Sequence, residues 1–424
     1  MKELRIGDRG AYVQMLQSAL TRSGFGTSID GIFGPNTESS VRNFQAAFGL
    51  SVTGVVNDAT WNRLYPYIRG YVMYTVKSGD TFWNIAQRNF TTVAAIVTAN
   101  PRVNPAALQV GQRIVLPFGF NVVPTNIAYT YVLVDLILDG LVMRYPFLRK
   151  QVVGSSIMGK NIYAVEMGSG ANQVFVNSSH HANEWITTPL ALLFLENYAK
   201  SYAAFDRIYG YNASYLYNNS TLFMIPLVNP DGVDLVNGVV EGEYYENARS
   251  IAAQFPSIPF PNGWKANIAG TDPNLNYPAL WEEARRIKYA QGFTKPAPRD
   301  YVGTAPLSAP ETRTVYNYTL GKSFDITISY HTQGEVIYYE FQGMVPPMGL
   351  EIGRNFEDIS GYTLENVPYS SSFAGYKDWV IQDFDVPSYT IEVGSGSNPL
   401  PLSRIGEIYN DNVGIMAYAL SVQF

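Results

Sequence analysis

Three histidines occur in 424 residues, and all three stand where a metal site would need them. His180 and His181 open the run His-His-Ala-Asn-Glu-Trp, and His331 closes the apolar run Phe-Asp-Ile-Thr-Ile-Ser-Tyr-His. Two imidazoles and one carboxylate make a three-ligand zinc site with an open fourth position, and a His-x-x-Glu pair plus one distant His supplies that set. The candidate ligands are His181, Glu184 and His331. Hydrolysis at such a site also needs a carboxylate to accept a proton from water and a donor for the developing oxyanion. Glu392 is a carboxylate inside the otherwise apolar run Pro-Ser-Tyr-Thr-Ile-Glu-Val-Gly. The plainer reading makes each a structural residue at a strand end, with Glu392 a paired core carboxylate. The ligand spacing, in a chain otherwise free of His, weighs against it for the metal set.

These side chains need a scaffold that brings them together. From about residue 125 to 424 the chain reads as one large α/β unit. Strand candidates at 174–177, 222–228, 326–330 and 389–393 alternate with helical patterns at 188–202 and 405–420. His181, Asn229, His331 and Glu392 lie at or just beyond the ends of those strands. The ligand crevice of an open α/β sheet lies beyond the carboxyl ends of its strands, so the four are expected to converge there.

Two smaller segments come first. In residues 1–68, Val13, Leu16 and Leu20, and then Val41, Phe44 and Phe48, recur at helical spacing. The glycine-rich turn Asp30-Gly-Ile-Phe-Gly-Pro lies between them, Asn36 or Thr37 is placed to cap the second helix, and a third short helix is expected from Asp58 to Leu64. Residues 73–118 read strand (74–76), helix (81–88), helix (93–100), strand (113–116), with Phe82 and Trp83 as core.

Composition narrows the partners. A net charge of −6 leaves no basic footprint for nucleic acid or an anionic membrane surface. There is no Cys, hence no disulfide framework, and the apolar stretch 189–198 is broken by Glu196 well short of a membrane span. The start Met-Lys-Glu-Leu-Arg-Ile-Gly-Asp lacks the apolar region of an export signal. The 31 tyrosines suit a protein that handles sugars.

Three resemblances follow from ordered motifs. Leu4-Arg-Ile-Gly-Asp-Arg-Gly, Leu16-Gln, Asp30-Gly-x-Phe-Gly, Val41-Arg-x-Phe-Gln and Thr60-Trp resemble a peptidoglycan-binding domain. Val76-Lys-Ser-Gly-Asp-Thr-Phe-Trp-Asn-Ile-Ala, Asn100-Pro and Val110-Gly-Gln-Arg-Ile-Val-Leu-Pro resemble a LysM domain, a family that binds N-acetylglucosamine polymers. His181-Ala-Asn-Glu-Trp-Ile, Asn229-Pro-Asp-Gly, Gly270-Thr-Asp-Pro-Asn-Leu-Asn-Tyr-Pro, His331 and Glu392 resemble the zinc carboxypeptidase family. That resemblance implies a mixed α/β sheet flanked by helices and one zinc per chain on His181, Glu184 and His331. It implies Glu392 as general base and later proton donor, and Asp272 as the carboxylate that orients the first zinc-bound His. His180 is then left out of the ligand set. Lys265 takes the place of an Arg that follows Trp in the family, keeping the charge but losing the bidentate fork. The family's mobile Tyr aligns, with a one-residue gap, to Tyr369.

Departures from the family pattern point to the substrate. Carboxypeptidases clamp a terminal carboxylate with an Asn-Arg pair, where this chain has Asn274-Leu275, and Asn183 replaces an Arg inside the metal motif. Lys377 precedes Asp378-Trp379 at the specificity position of the pocket for the residue after the cleaved bond, so that pocket should favour a carboxylate. Wall-binding modules linked to such a site concentrate it on its polymer, the glycan chains and stem peptides of peptidoglycan. The implied enzyme cuts between γ-D-glutamate and meso-diaminopimelate at the cell wall or in a spore cortex. The alternatives are a carboxypeptidase of acidic C-terminal specificity and a non-catalytic wall-binding protein on a peptidase fold.

Overall fold

Three helices open the chain, Ala11–Arg22, Pro35–Ala47 and Asp58–Arg69, and they bury Val13, Leu16, Leu20, Val41, Phe44, Trp61 and Leu64. The third is capped by Asn57, whose Oδ1 accepts from the Thr60 N–H at 3.1 Å. The second is not capped by Asn36 or Thr37. It starts at Pro35, whose ring presets the first helical φ, and the Thr37 hydroxyl instead accepts from Gln17 Nε2 at 3.1 Å. Two buried glutamines brace the loops: Gln17 Oε1 accepts from the Gly31 N–H, and Gln45 Oε1 accepts from the Thr53 and Gly54 N–H groups. Burying an amide is tolerated because every polar atom finds a partner.

The computed structural model describes residues 1–424 and divides into two compact units, Met1–Arg149 and Lys150–Phe424. Antiparallel strands Tyr71–Thr75 and Arg113–Pro117 in the first unit flank helices Phe82–Arg88 and Val93–Ala99. Buried Asn100 ties them: its Nδ2 donates to the Ile96 and Val115 carbonyls, and its Oδ1 accepts from the Val115 N–H. Phe82 is core, whereas Trp83 is 66% exposed. Phe82, Ile85 and Ala86 take the inward face at helical spacing and turn the neighbouring Trp83 outward. The helix Tyr131–Arg144, which sequence alone groups with the third segment, also lies in the first unit. Its Gly140 approaches Arg69 so closely that a Cβ would meet the Arg69 carbonyl oxygen at 2.0 Å.

The second unit is built on an eight-stranded mixed sheet, in spatial order 363–365, 336–338, 388–392, 326–331, 172–178, 220–225, 161–168 and 149–155. The four strands from 388–392 to 220–225 run parallel, with antiparallel neighbours on either side. Val174, Val176, Ile326, Ile328, Tyr389 and Ile391 are buried in them, as near-continuous apolar strands of a covered parallel sheet require. Register places Glu392 beside His331 and Ser178 beside Tyr330, so the ends of three strands line up on one edge.

Candidate active site

The strand ending at Ser178 passes into Ser179, a left-handed residue with φ 53°. Its N–H donates to Thr187 Oγ1 at 3.0 Å, and its hydroxyl lies 2.8 Å from Thr188 Oγ1. The first turn of helix Thr187–Ala203 thus holds a conformation costly for a residue with a Cβ. A single 3-10 turn, Ala182–Glu184, then folds Glu184 back beside His181.

Three donor atoms meet at this edge. His181 Nδ1 is 3.0 Å from Glu184 Oε1, His331 Nδ1 is 2.9 Å from Glu184 Oε2, and the two Nδ1 atoms are 3.2 Å apart. Ligands bonded at about 2.0–2.1 Å to one tetrahedral ion would stand about 3.3 Å apart, so the set fits zinc. Asp272 Oδ1 lies 3.0 Å from His181 Nε2 and fixes the ring with Nδ1 toward the other donors. Burial lowers the basicity of His181, but the Glu184 and Asp272 carboxylates outweigh it and raise its pKa to about 9. The same field favours a divalent cation. His180 turns away, its Nε2 lying 3.0 Å from the Tyr277 hydroxyl, and burial holds its pKa well below the usual imidazole range. Asn229, at the next strand end, is a brace: its Nδ2 donates to the carbonyls of His180 and Ala266, both at 3.0 Å.

Glu392 faces this cluster from the neighbouring strand. Burial and the Glu184 charge push its pKa up from the ordinary carboxylate range, which favours a carboxyl group that can take up a proton. Lys265 Nζ is 2.6 Å from Glu184 Oε1; burial opposes its charge, and Glu184 and Glu392 restore it. Two cavities meet here. One is bounded by Asn274, Leu275, Gly375, Lys377 and Asp378, the other by Asn183, Asn262, Thr332, Gln333 and Asn398, and both include Lys265, Arg299, Tyr338 and Glu392.

The remaining sequence candidates divide. Asn183 lines the second cavity and donates to the Asn262 carbonyl at 2.9 Å. Asn274 Oδ1 accepts from the Tyr376 N–H at 3.0 Å, with its Nδ2 3.4 Å from His331 Nε2. Leu275 packs in the apolar cluster with Tyr277 and Trp379. Lys377 lines the first cavity, yet its ammonium is spent on Asp378 Oδ1 at 2.6 Å and on the Glu340 carbonyl. The pocket therefore presents an ion pair where a free cation was expected. Tyr369 does not reach the site: it is 59% exposed, with its hydroxyl donating to Glu283 at 2.8 Å. Arg299 and Tyr338 line both cavities and carried no sequence signal, because neither sits in a motif of recognisable spacing.

A His-Glu-His donor set at the carboxyl edge of a mixed sheet, with a buried carboxylate beside it, defines a metallopeptidase site. The zinc carboxypeptidase sequence profile matches residues 135–347, and the chain belongs to that family, with zinc as its cofactor. Profiles of a peptidoglycan binding domain and a LysM domain match residues 9–64 and 74–117, which associates the chain with the cell wall. The chain is 39% identical over 398 residues to gamma-D-glutamyl-L-diamino acid endopeptidase 1 of Lysinibacillus sphaericus, across 81% of this chain and 98% of that protein. Among solved structures, carboxypeptidase A from Helicoverpa armigera superposes with a TM-score of 0.53 at 19% identity, covering 80% of each chain. Bovine thrombin-activatable fibrinolysis inhibitor superposes at 0.52 and 20%, covering 69% of this chain and 96% of that one. These two share the fold. No helix is long and apolar enough to cross a membrane.

Proposed function

We propose that this chain hydrolyses the bond between γ-D-glutamate and meso-diaminopimelate in peptidoglycan stem peptides. The observation that carries it is Leu275, packed in an apolar cluster where a carboxypeptidase would hold a terminal carboxylate, in a chain led by wall-binding modules. Without that clamp, trimming of ordinary C-termini loses its main charge-assisted contact. The relative from Lysinibacillus sphaericus, named for the γ-D-glutamyl-L-diamino acid linkage, supports the same reading.

His181, Glu184 and His331 would hold zinc, which would supply Lewis acidity at this edge of the sheet. Asp272 keeps His181 in the required tautomer. Glu392 takes one proton from the water as its oxygen adds to the γ-carbonyl carbon. It returns that proton to the diaminopimelate nitrogen as the C–N bond breaks, and the second water proton passes from the new carboxyl group to the amine, leaving a carboxylate and an ammonium. Lys265, held at Glu184, places positive charge beside the carbonyl oxygen as it becomes negative. The Lys377–Asp378 pair at the end of the first cavity matches the far end of diaminopimelate, which carries both an ammonium and a carboxylate.

The test is mass spectrometry of defined stems treated with the full chain. Release of free diaminopimelate from L-Ala-γ-D-Glu-meso-diaminopimelate is expected, at least about tenfold faster than release of lysine from the lysine stem. Faster trimming of ordinary acidic C-terminal peptides would favour the carboxypeptidase reading. No cleavage of any stem by the zinc-loaded protein would favour a binding protein.

A further inference from the structure

The cavity bounded by Asn183, Asn262 and Asn398 is lined by two cations, Lys265 and Arg299. Lys265 is committed to Glu184 at 2.6 Å. Arg299 is not: its Nε donates to Asp300 Oδ2 at 2.7 Å, and its two terminal nitrogens have no protein partner. The other oxygen of Asp300 is occupied by Lys288 Nζ at 2.7 Å. One carboxylate thus serves two cations, and the terminal edge of Arg299 is left without a hydrogen-bonded carboxylate at the seam between the cavities.

The backbone around Arg299 is fixed to the reaction centre on both sides. The Pro298 carbonyl accepts from the N–H groups of Lys265 at 2.7 Å and Ala266 at 3.0 Å. The Asp300 N–H donates to Asp272 Oδ2 at 3.2 Å, the carboxylate that orients His181. Asp300 itself is left-handed, with φ 65°. A non-glycine residue persists there when its surroundings over-determine it, and such strain gathers at functional sites. An arginine held by its Nε edge presents its terminal edge as a two-donor fork, the shape that receives a carboxylate.

The proposed linkage supplies such a group. When a glutamyl residue is joined through its γ-carbonyl, its α-carboxylate stays free on the acyl side of the scissile bond. When it is joined through its α-carbonyl, that carboxylate is consumed in the amide. The first cavity, with Lys377 and Asp378, takes the amine-side residue, so the acyl side falls to the second. We infer that Arg299 binds the free α-carboxylate of the γ-linked glutamyl residue and thereby distinguishes γ- from α-linked stems. This inference rests on the proposed reaction and assigns that reaction a specificity-determining residue.

The experiment compares two stems, L-Ala-γ-D-Glu-meso-diaminopimelate and its analogue with the glutamyl α-carboxylate converted to a carboxamide. Wild-type protein is expected to favour the free acid by about tenfold to hundredfold in kcat/KM. Arg299→Ala should reduce that ratio to within about threefold, and Arg299→Lys, which keeps charge without the fork, should leave an intermediate ratio. Equal wild-type rates on both stems would overturn the assignment while leaving the reaction standing. So would an Arg299→Ala variant that slows both stems alike and keeps the ratio, since that marks a residue that only supports the Asp300–Asp272 frame. Cleavage of neither stem by zinc-loaded wild-type protein would sink the reaction itself, and this inference with it.

Discussion

The buried loop-bracing amides of the first unit and the buried titratable cluster of the second find their partners in opposite ways. Gln17, Gln45 and Asn100 in the first unit are neutral amides, bonded mainly to the backbone of loops and strands that they hold in place. In the second unit His181, Glu184, Asp272, Lys265 and His331 are titratable and bonded chiefly to one another. A backbone partner satisfies an amide and ends the matter. Charged partners instead build a field that can be redirected toward a cation or a substrate, and that field shifts every pKa inside it. A buried amide thus marks architecture, and a buried knot of acids and bases marks chemistry.

The contrast can be broken most directly at Glu392. Glu392→Gln is expected to lower turnover by about a hundredfold to ten-thousandfold while zinc content and thermal stability hold, because a buried carboxyl is replaced by a neutral isostere. Activity within about tenfold of wild type would place the proton transfer elsewhere.

A second test asks whether every buried acid in the second unit belongs to the chemistry. Glu311 is buried away from the donor set, accepting from Asn267 Nδ2 at 2.9 Å, and burial, with the Asp231 charge adding to it, pushes its pKa to about 7 from an ordinary 4.5. The folded state then binds this proton more tightly than the unfolded chain. The resulting stability is complete below pH 4.5 and is lost as pH rises through about 7, amounting to about 3 kcal/mol. Glu311→Gln should flatten that slope, so chemical denaturation at pH 5 and pH 8 should show the variant gaining on wild type at the higher pH. Parallel curves would refute the assignment.

The last test lies in the first unit, where no effect on hydrolysis is expected. Asn100→Ala removes hydrogen bonds to Val115 and Ile96, at about 1 kcal/mol each. Faster amide exchange across Arg113–Pro117 should report it, with hydrolysis of a soluble stem unchanged. A parallel loss of hydrolysis would show that the module shapes the active site.

How much of this was legible in advance follows from where the signal resides. The donor set was readable because His is scarce and His181 and Glu184 have helical-turn spacing. The four central strands were readable because burial on both faces leaves them nearly all apolar. The outer strands Arg149–Ser155, Val336–Tyr338 and Thr363–Glu365 were not, since they are half-exposed and short or mixed in pattern. In the sequence Lys377 reads as a free cation, because the adjacent Asp378 shows its neutralising role only once the helix Tyr376–Phe384 folds. Arg299 carries no sequence signal because what places it, the left-handed Asp300 and contacts far along the chain, leaves no trace in local spacing.

The pairing of Glu392 with His331 on neighbouring parallel strands has a consequence for how such a protein can change. Adjacent strands sit about 4.8 Å apart wherever a sheet exists, so the interval between the backbones of Glu392 and His331 is set by the sheet itself and not by the loops around it. Changes in the segments around the crevice, where Leu275 and Arg299 lie, can remodel what enters it without stretching that interval. Cutting machinery and substrate preference are thereby separable targets for selection, the first anchored in the sheet and the second free to wander in the loops above it.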